Sequence, residues 1–200
     1  MNRRFLQPQP QPQPQRHLPL LLLALALAGC AGAPPPRLYQ LRAEPPVAVA
    51  VAVDSMASAQ VLQLVSVRVP EVLALAGLVV PQGQGGVQLL TDHRWAEPLQ
   101  DAVPRLLLQD LARLLGPQQV WAAPLPAGVV VTQRLRVEIT TLQARADRAT
   151  VQLQARVTLG ARVLMVALDA PSAGPEPDAL VAAHRLALWR LAEQIADAVR

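Results

Sequence analysis

The sequence predicts an α+β fold in a single domain: an antiparallel or mixed sheet with two main amphipathic helices packed on one face. Three observations predict it. Two stretches, 92–116 and 178–199, repeat apolar residues every three and four positions, as a helix with one buried stripe does. Three stretches between 134 and 168 follow one another closely and alternate apolar with polar residues, as strands with one wet face do. Helical and strand patterns that segregate along the chain point to helices layered on a sheet.

Taken in order, the chain opens with Arg3, Arg4 and Arg16, and then an eleven-residue apolar run, Leu18 to Ala28, closed by Gly29 and Cys30. A basic start, a run of that length and a small-residue close form a secretory signal peptide, and the run falls short of the about 20 apolar residues that span a bilayer. The alternating Gln and Pro from Gln7 to Gln15 read as low complexity without function. Leu27, Ala28, Gly29 and Cys30 look like a bacterial lipobox, in which the thiol receives a diacylglycerol and the amine freed by cleavage is acylated. Cys30 is the single cysteine, and an unmodified lone thiol in an exported protein would be a reactive liability. Three acyl chains exceed what stable anchoring requires. Residues 1–29 are therefore expected to be a lipoprotein signal peptide, 30–37 the acylated Cys and a Pro-rich tether that reaches about 3.1 Å per residue, and 38–200 the folded domain. Ala31 stands where Asp would resemble an inner-membrane retention signal, so the expected location is the periplasmic face of the outer membrane.

Leu38 to Leu41 is a short strand candidate, and Val47 to Val53 (VAVAVAV) is a uniform apolar run. Gln60 to Val69 alternates Val61, Val65, Val67 and Val69 against Leu62, Leu64, Ser66 and Arg68, and Pro70 ends it. Leu78 to Val80 and Val87 to Thr91 flank PQGQGG, a loose hairpin. Asp92, His93 and Arg94 then read as a polar approach to the first helix, with Pro98 in its first turn. Leu99, Val103, Leu106, Leu107, Leu111, Leu114 and Leu115 form its stripe; Gln100, Asp101, Arg105, Gln109, Asp110 and Arg113 hold the other side; Gly116 and Pro117 stop it. Pro104, inside the helix, is expected to kink it. Gln119 to Trp121 is a short edge strand, and Arg134 to Leu142, Ala149 to Leu159 and Ala161 to Leu168 form a meander turned at Ala146 to Arg148 and at Gly160. Asp178 is the expected N-cap of the last helix, whose stripe is Leu180, Ala183, Ala187, Leu188, Leu191, Ile195 and Val199.

Charge and chemistry exclude more than they suggest. Three of the 18 Arg precede Cys30, which leaves 15 against 14 acids beyond it, and only five residues are aromatic, so no nucleic-acid partner is expected. There is no GxSxG, no free Cys nucleophile and no Gly-rich phosphate loop, so no enzyme activity, catalytic residue or cofactor is expected. His93, His184 and Asp92 have no metal-ligand spacing, and no metal site is expected. The sharpest polar and aromatic cluster is Arg94, Trp95 and Glu97 beside His93. It suits a partner interface, since Trp and Arg dominate binding hot spots; it equally suits a core Trp95 with Glu97 at a positive helix N-terminus.

The lipobox, LYQL (Leu38 to Leu41), VRVPEVL (Val67 to Leu73), HRWAEPL (His93 to Leu99) and ALVAAHRLALWRLAEQIADAV (Ala179 to Val199) together resemble the ABC-type transport auxiliary lipoproteins, the PqiC family. The sequence departs from that pattern where relatives often carry an aromatic after the VxVP element and another between Val137 and Leu142, and at Pro104. The resemblance implies an outer-membrane-anchored periplasmic lipoprotein that docks to an MCE-domain and ABC-transporter system moving lipid between inner and outer membranes. It also implies possible homo-oligomers and no catalysis. The competing expectation is a periplasmic carrier that holds a lipid in its own cavity, against which stands a core of Ala, Val and Leu suited to close packing.

Overall fold

Strand formation begins where the tether is expected to end. The computed structural model describes residues 35–46, 60–83 and 85–200. The expected signal peptide, Cys30, most of the expected tether and the Val47 to Val53 run lie outside the described residues. From Pro36 to Arg200 the chain forms one compact unit.

Its elements are β1 (Arg37–Tyr39), β2 (Leu62–Arg68), a 3-10 turn (Glu71–Ala74), β3 (Gly77–Gln82), β4 (Gly86–Trp95), α1 (Leu99–Leu115), β5 (Val120–Ala122), β6 (Gln133–Ala144), β7 (Thr150–Leu159), β8 (Arg162–Pro171) and α2 (Pro177–Val199). The class is α+β, as the sequence predicts, with the strands divided between two sheets. A three-stranded sheet has the order β1-β4-β3, and a five-stranded sheet the order β5-β2-β6-β7-β8. In the larger sheet β2 runs parallel to both β5 and β6, while β6, β7 and β8 form the antiparallel meander. Arg148, at φ 55°, and Gly160, at φ 59°, make its two tight turns.

Alternation sorts the meander cleanly. Leu135, Val137, Ile139, Val151, Leu153, Ala155 and Val157 are buried, and the helices cover that face. α2 lies on β6, β7 and β8; α1 lies beside it, against β2 and β5. Every residue of the α2 stripe is buried, and its alanines Ala183, Ala187, Ala192 and Ala196 keep that face thin enough for close packing.

Four local expectations are corrected. β2 has a bulge between Leu64 and Ser66, so the buried set is Leu62 and Leu64 before it and passes to the half-buried Val67 after it, while Val65 is exposed. One inserted residue reverses which side of a strand faces the core. β4 does not stop at Thr91. It runs on through Trp95, because β1 pairs with it in parallel, Arg37 beside His93 and Tyr39 beside Trp95. The capping residue of α2 is Glu176, with Pro177 at the first helical position and Asp178 in the first turn, where its charge still favours the helix dipole. Asp110 belongs to the buried face of α1. α1 is unbroken at Pro104, whose missing N–H frees the carbonyl of Gln100, an exposed residue whose backbone water can reach. Gly116, at φ 111°, ends α1 with a conformation that a side chain would resist.

Candidate functional site

The corner where β4 turns into α1 carries the cluster singled out from the sequence, and strand alternation divides it. His93 and Trp95 point inward with Tyr39 of β1. Tyr39 Oη and His93 Nδ1 share a hydrogen bond of 3.0 Å, and the two rings stack with centroids 5.7 Å apart. Trp95 is only 8% exposed and meets His184 of α2 edge to face at 5.8 Å. Its backbone N–H donates to Ala76, and that of Ala96 to Tyr39, so the corner is pinned on both sides. Arg94 points outward beside Leu38 and donates to the Thr91 carbonyl. Glu97 is half-buried at the start of α1, where it accepts from Arg105.

The outer face around Arg94 is apolar. Leu38, Val87 and Leu89 are exposed on the small sheet, with Val79 and Pro81 opposite the last two. Leu89 folds over Gly77, where an added Cβ would lie 2.6 Å from its Cδ1, so a side chain at Gly77 would push the exposed Leu89 aside.

The residues that sequence reasoning missed lie where the two helices meet. Asp110 of α1 is 0% exposed and accepts two hydrogen bonds from Arg185 of α2, at 2.6 and 2.8 Å. Such a fork is the strongest geometry open to a guanidinium and a carboxylate. Arg185 reaches further. Its Nε donates to the carbonyl of Arg42 at 2.7 Å, a terminal nitrogen to that of Ala43 at 3.4 Å, and its plane lies 5.8 Å from the Trp189 ring centroid. Arg113 also donates to the Ala43 carbonyl. The segment that follows β1 is thereby held by both helices, with Leu41 buried beneath it. Burial pushes the Asp110 carboxyl above the usual carboxylate range, against the pull of Arg185 and then Arg113. Removing one partner of a buried pair typically costs about 3–5 kcal/mol, because the other charge is left without compensation.

His184 is enclosed by the core. Its Nδ1 donates to the Leu180 carbonyl at 2.7 Å, which places a proton on that nitrogen. Burial holds the imidazole below its ordinary value near 6.5, and the Leu180 carbonyl offsets this only in part. His184 also lines a crevice with Trp95, Leu99 and Leu142 of about 10 Å³, room for about one water molecule. Among the described residues no group of three His, Cys, Asp or Glu could hold a metal ion, and no helix is long and apolar enough to cross a membrane.

A depressed histidine value fixes the sign of a pH effect. The unfolded chain takes up a proton that the folded chain refuses, so this residue's contribution is present above about pH 6.5 and is lost as pH falls. The urea midpoint is expected to drop between about pH 7.5 and 5.5, and His184→Gln to flatten that drop. An equally steep drop in the variant would contradict this assignment.

No curated protein sequence matches the chain. Several solved structures share the fold, two of them as follows. One, described as an uncharacterized protein, is 20% identical with a TM-score of 0.63 and aligns over 84% of this chain and 100% of its own. The other, protein XCC0632 from Xanthomonas campestris, is 13% identical with a TM-score of 0.62 and aligns over 80% of this chain and 92% of its own. Residues 39–196 match the family described as the ABC-type transport auxiliary lipoprotein component. That span runs from β1 to the last turn of α2 and includes the pinned corner and the buried ion pair, and the chain therefore belongs to the ABC-type transport auxiliary lipoprotein family.

Proposed function

We infer that this chain is a lipid-anchored docking component of an ABC-type lipid-transport system. In this reading it is exported, acylated on Cys30 and held at the periplasmic face of the outer membrane, where it binds an MCE-domain protein of the transporter. The family match supports the transport association. The lipobox and the Pro-rich stretch before β1 support the anchor.

The observation that carries the reading is the grip on residues 42 and 43. A tension applied to the tether enters the fold at β1 and the segment after it. Both helices hold that segment through Arg185 and Arg113, so a pull that frees the three-residue β1 is stopped at the helix pair. A module of this kind works by staying in place. The crevice under Trp95 is far too small for an acyl chain, and the larger hollows are open grooves lined mainly by charged and polar side chains such as Arg190, Glu193, Asp197 and Arg200, which favours docking over carriage of a lipid inside the domain.

The partner surface in this reading is the outer face of the small sheet: Arg94 with Leu38, Val87 and Leu89 around it. Trp95 and Glu97 serve it from below, Trp95 by locking the end of β4 into the core and Glu97 by bonding Arg105 across the helix start. Arg is enriched among binding hot spots, and the exposed aliphatic side chains on the same sheet offer apolar area to bury.

Two outcomes follow. Cys30→Ala is expected to lose the acyl mass and to move from the membrane to the soluble periplasmic fraction in high-salt washes; a variant that stays with the membrane removes the anchor from the account. Leu38→Asp combined with Arg94→Glu, which leaves the core untouched, is expected to reduce co-purification of an MCE-domain membrane protein at least about tenfold. Recovery equal to the parent chain places the partner surface elsewhere.

A further inference from the structure

The outer face of the five-stranded sheet carries two rungs of side chains that the fold itself does not require. In one, Ser66, Arg136, Thr158 and Val163 stand side by side across β2, β6, β7 and β8. In the next, Arg68, Glu138, Arg156 and Met165 do the same. Between the first three members of each rung lies an open groove of about 220 Å³.

Charge in this groove is unbalanced. Glu138 pairs with Arg156 at 3.4 Å, and among the described residues Arg68 and Arg136 have no carboxylate within ion-pair distance. Arg68 stands opposite Glu138, whose carboxylate pairs with Arg156, and Arg136 stands opposite the neutral Ser66 and Thr158, so the groove holds two positive charges in excess and favours an anion that bridges them. Two unpaired guanidiniums with the hydroxyls of Ser66 and Thr158 beside them suit the oxygens of a phosphate group, which a planar fork meets two at a time.

The ends of the rungs indicate which phosphate. Val163 is 59% exposed and Met165 71% exposed on β8, the edge strand, and both share the face of the arginines. A free phosphate ion gains nothing from these two side chains. A phospholipid surface does, because it offers phosphates at headgroup level and apolar matter just beneath, and basic groups beside exposed aliphatic ones are the composition of proteins that lie on such surfaces.

We propose that this sheet face docks on an anionic phospholipid surface, with Arg68 and Arg136 on headgroup phosphates and Val163 and Met165 entering the interface. This contact is separate from Cys30 and from the partner surface around Arg94, which belongs to the other sheet. It would lay the domain down against a membrane rather than leave it swinging on its tether.

The test is co-sedimentation of the chain from Ala31 onward, which has no acylation site and contains the whole compact unit, with two kinds of vesicle: phosphatidylcholine alone, and phosphatidylcholine mixed with phosphatidylglycerol. Binding is expected only to the mixed vesicles and to weaken with salt. Arg68→Gln with Arg136→Gln is expected to weaken it roughly thirty-fold, at about fivefold for each arginine near the surface. Val163→Ser with Met165→Ser, which leaves the charge unchanged, is expected to weaken it about fivefold, and Arg94→Gln to leave it unaltered. Equal binding to both vesicles, or an arginine variant that binds like the parent, overturns the proposal. So does full competition by inorganic phosphate together with normal binding of the serine variant, since that result assigns the groove to the free ion.

Discussion

The fork between Asp110 and Arg185 is the constraint on which the rest of the molecule turns. Two long helices could slide or rotate against each other over a core made of Ala, Val and Leu, whose small side chains interdigitate in many near-equivalent ways. A buried carboxylate and a buried guanidinium have no such freedom. Each must find the other, and at 2.6 and 2.8 Å they do so in one relative placement of α1 and α2. The pair need not add net stability over a well-packed apolar substitute, yet it penalises every arrangement that separates its halves.

That placement has a consequence for the front of the domain. Once Asp110 has oriented Arg185, the remaining donors of the guanidinium face outward to the carbonyls of Arg42 and Ala43. β1 is only three residues long and pairs with a single neighbour, β4, so its own ladder is a weak attachment. The helices supply the rest. β1 in turn gives β4 the parallel partner that carries it through Trp95, and Trp95 closes the core against His184. The β1 segment, the corner and the helix pair therefore depend on one another.

Much of this fold was legible in residue order. The meander follows from period-two alternation across Leu135 to Ile139 and Val151 to Val157, and both helices follow from their stripes. What stayed hidden was set by partners distant in sequence. Nothing local says that His93 to Trp95 is a strand, because its hydrogen bonds come from β1, some 54 residues away at Tyr39 and His93. Nothing local marks the bulge in β2, where both faces carry aliphatic residues and either could have turned inward. Asp110 was misplaced by its residue type, although the spacing held a clue. It sits three and four residues from Leu107, Leu106 and Leu114, within the apolar arc, and Arg185 sits the same way before Leu188 and Trp189. Opposite charges, one inside the stripe of each helix, are the sign of a buried pair. The candidate surface was legible only in part: Arg94 emerged as an exposed side chain, while the arginine rungs of the large sheet needed the strand register to bring Ser66, Arg136 and Thr158 together.

The measurement that bears most directly on this account is amide hydrogen exchange of the 37–44 segment in the parent chain and in Asp110→Leu combined with Arg185→Met. The double substitution refills the volume between the helices with apolar atoms, so global stability is expected to stay within about 1–2 kcal/mol of the parent. Exchange across 37–44 is expected to accelerate at least tenfold, because the carbonyls of Arg42 and Ala43 lose the guanidinium that holds them. Unchanged protection of that segment in a stably folded double variant would contradict the claim that the ion pair secures the 37–44 segment against the helices.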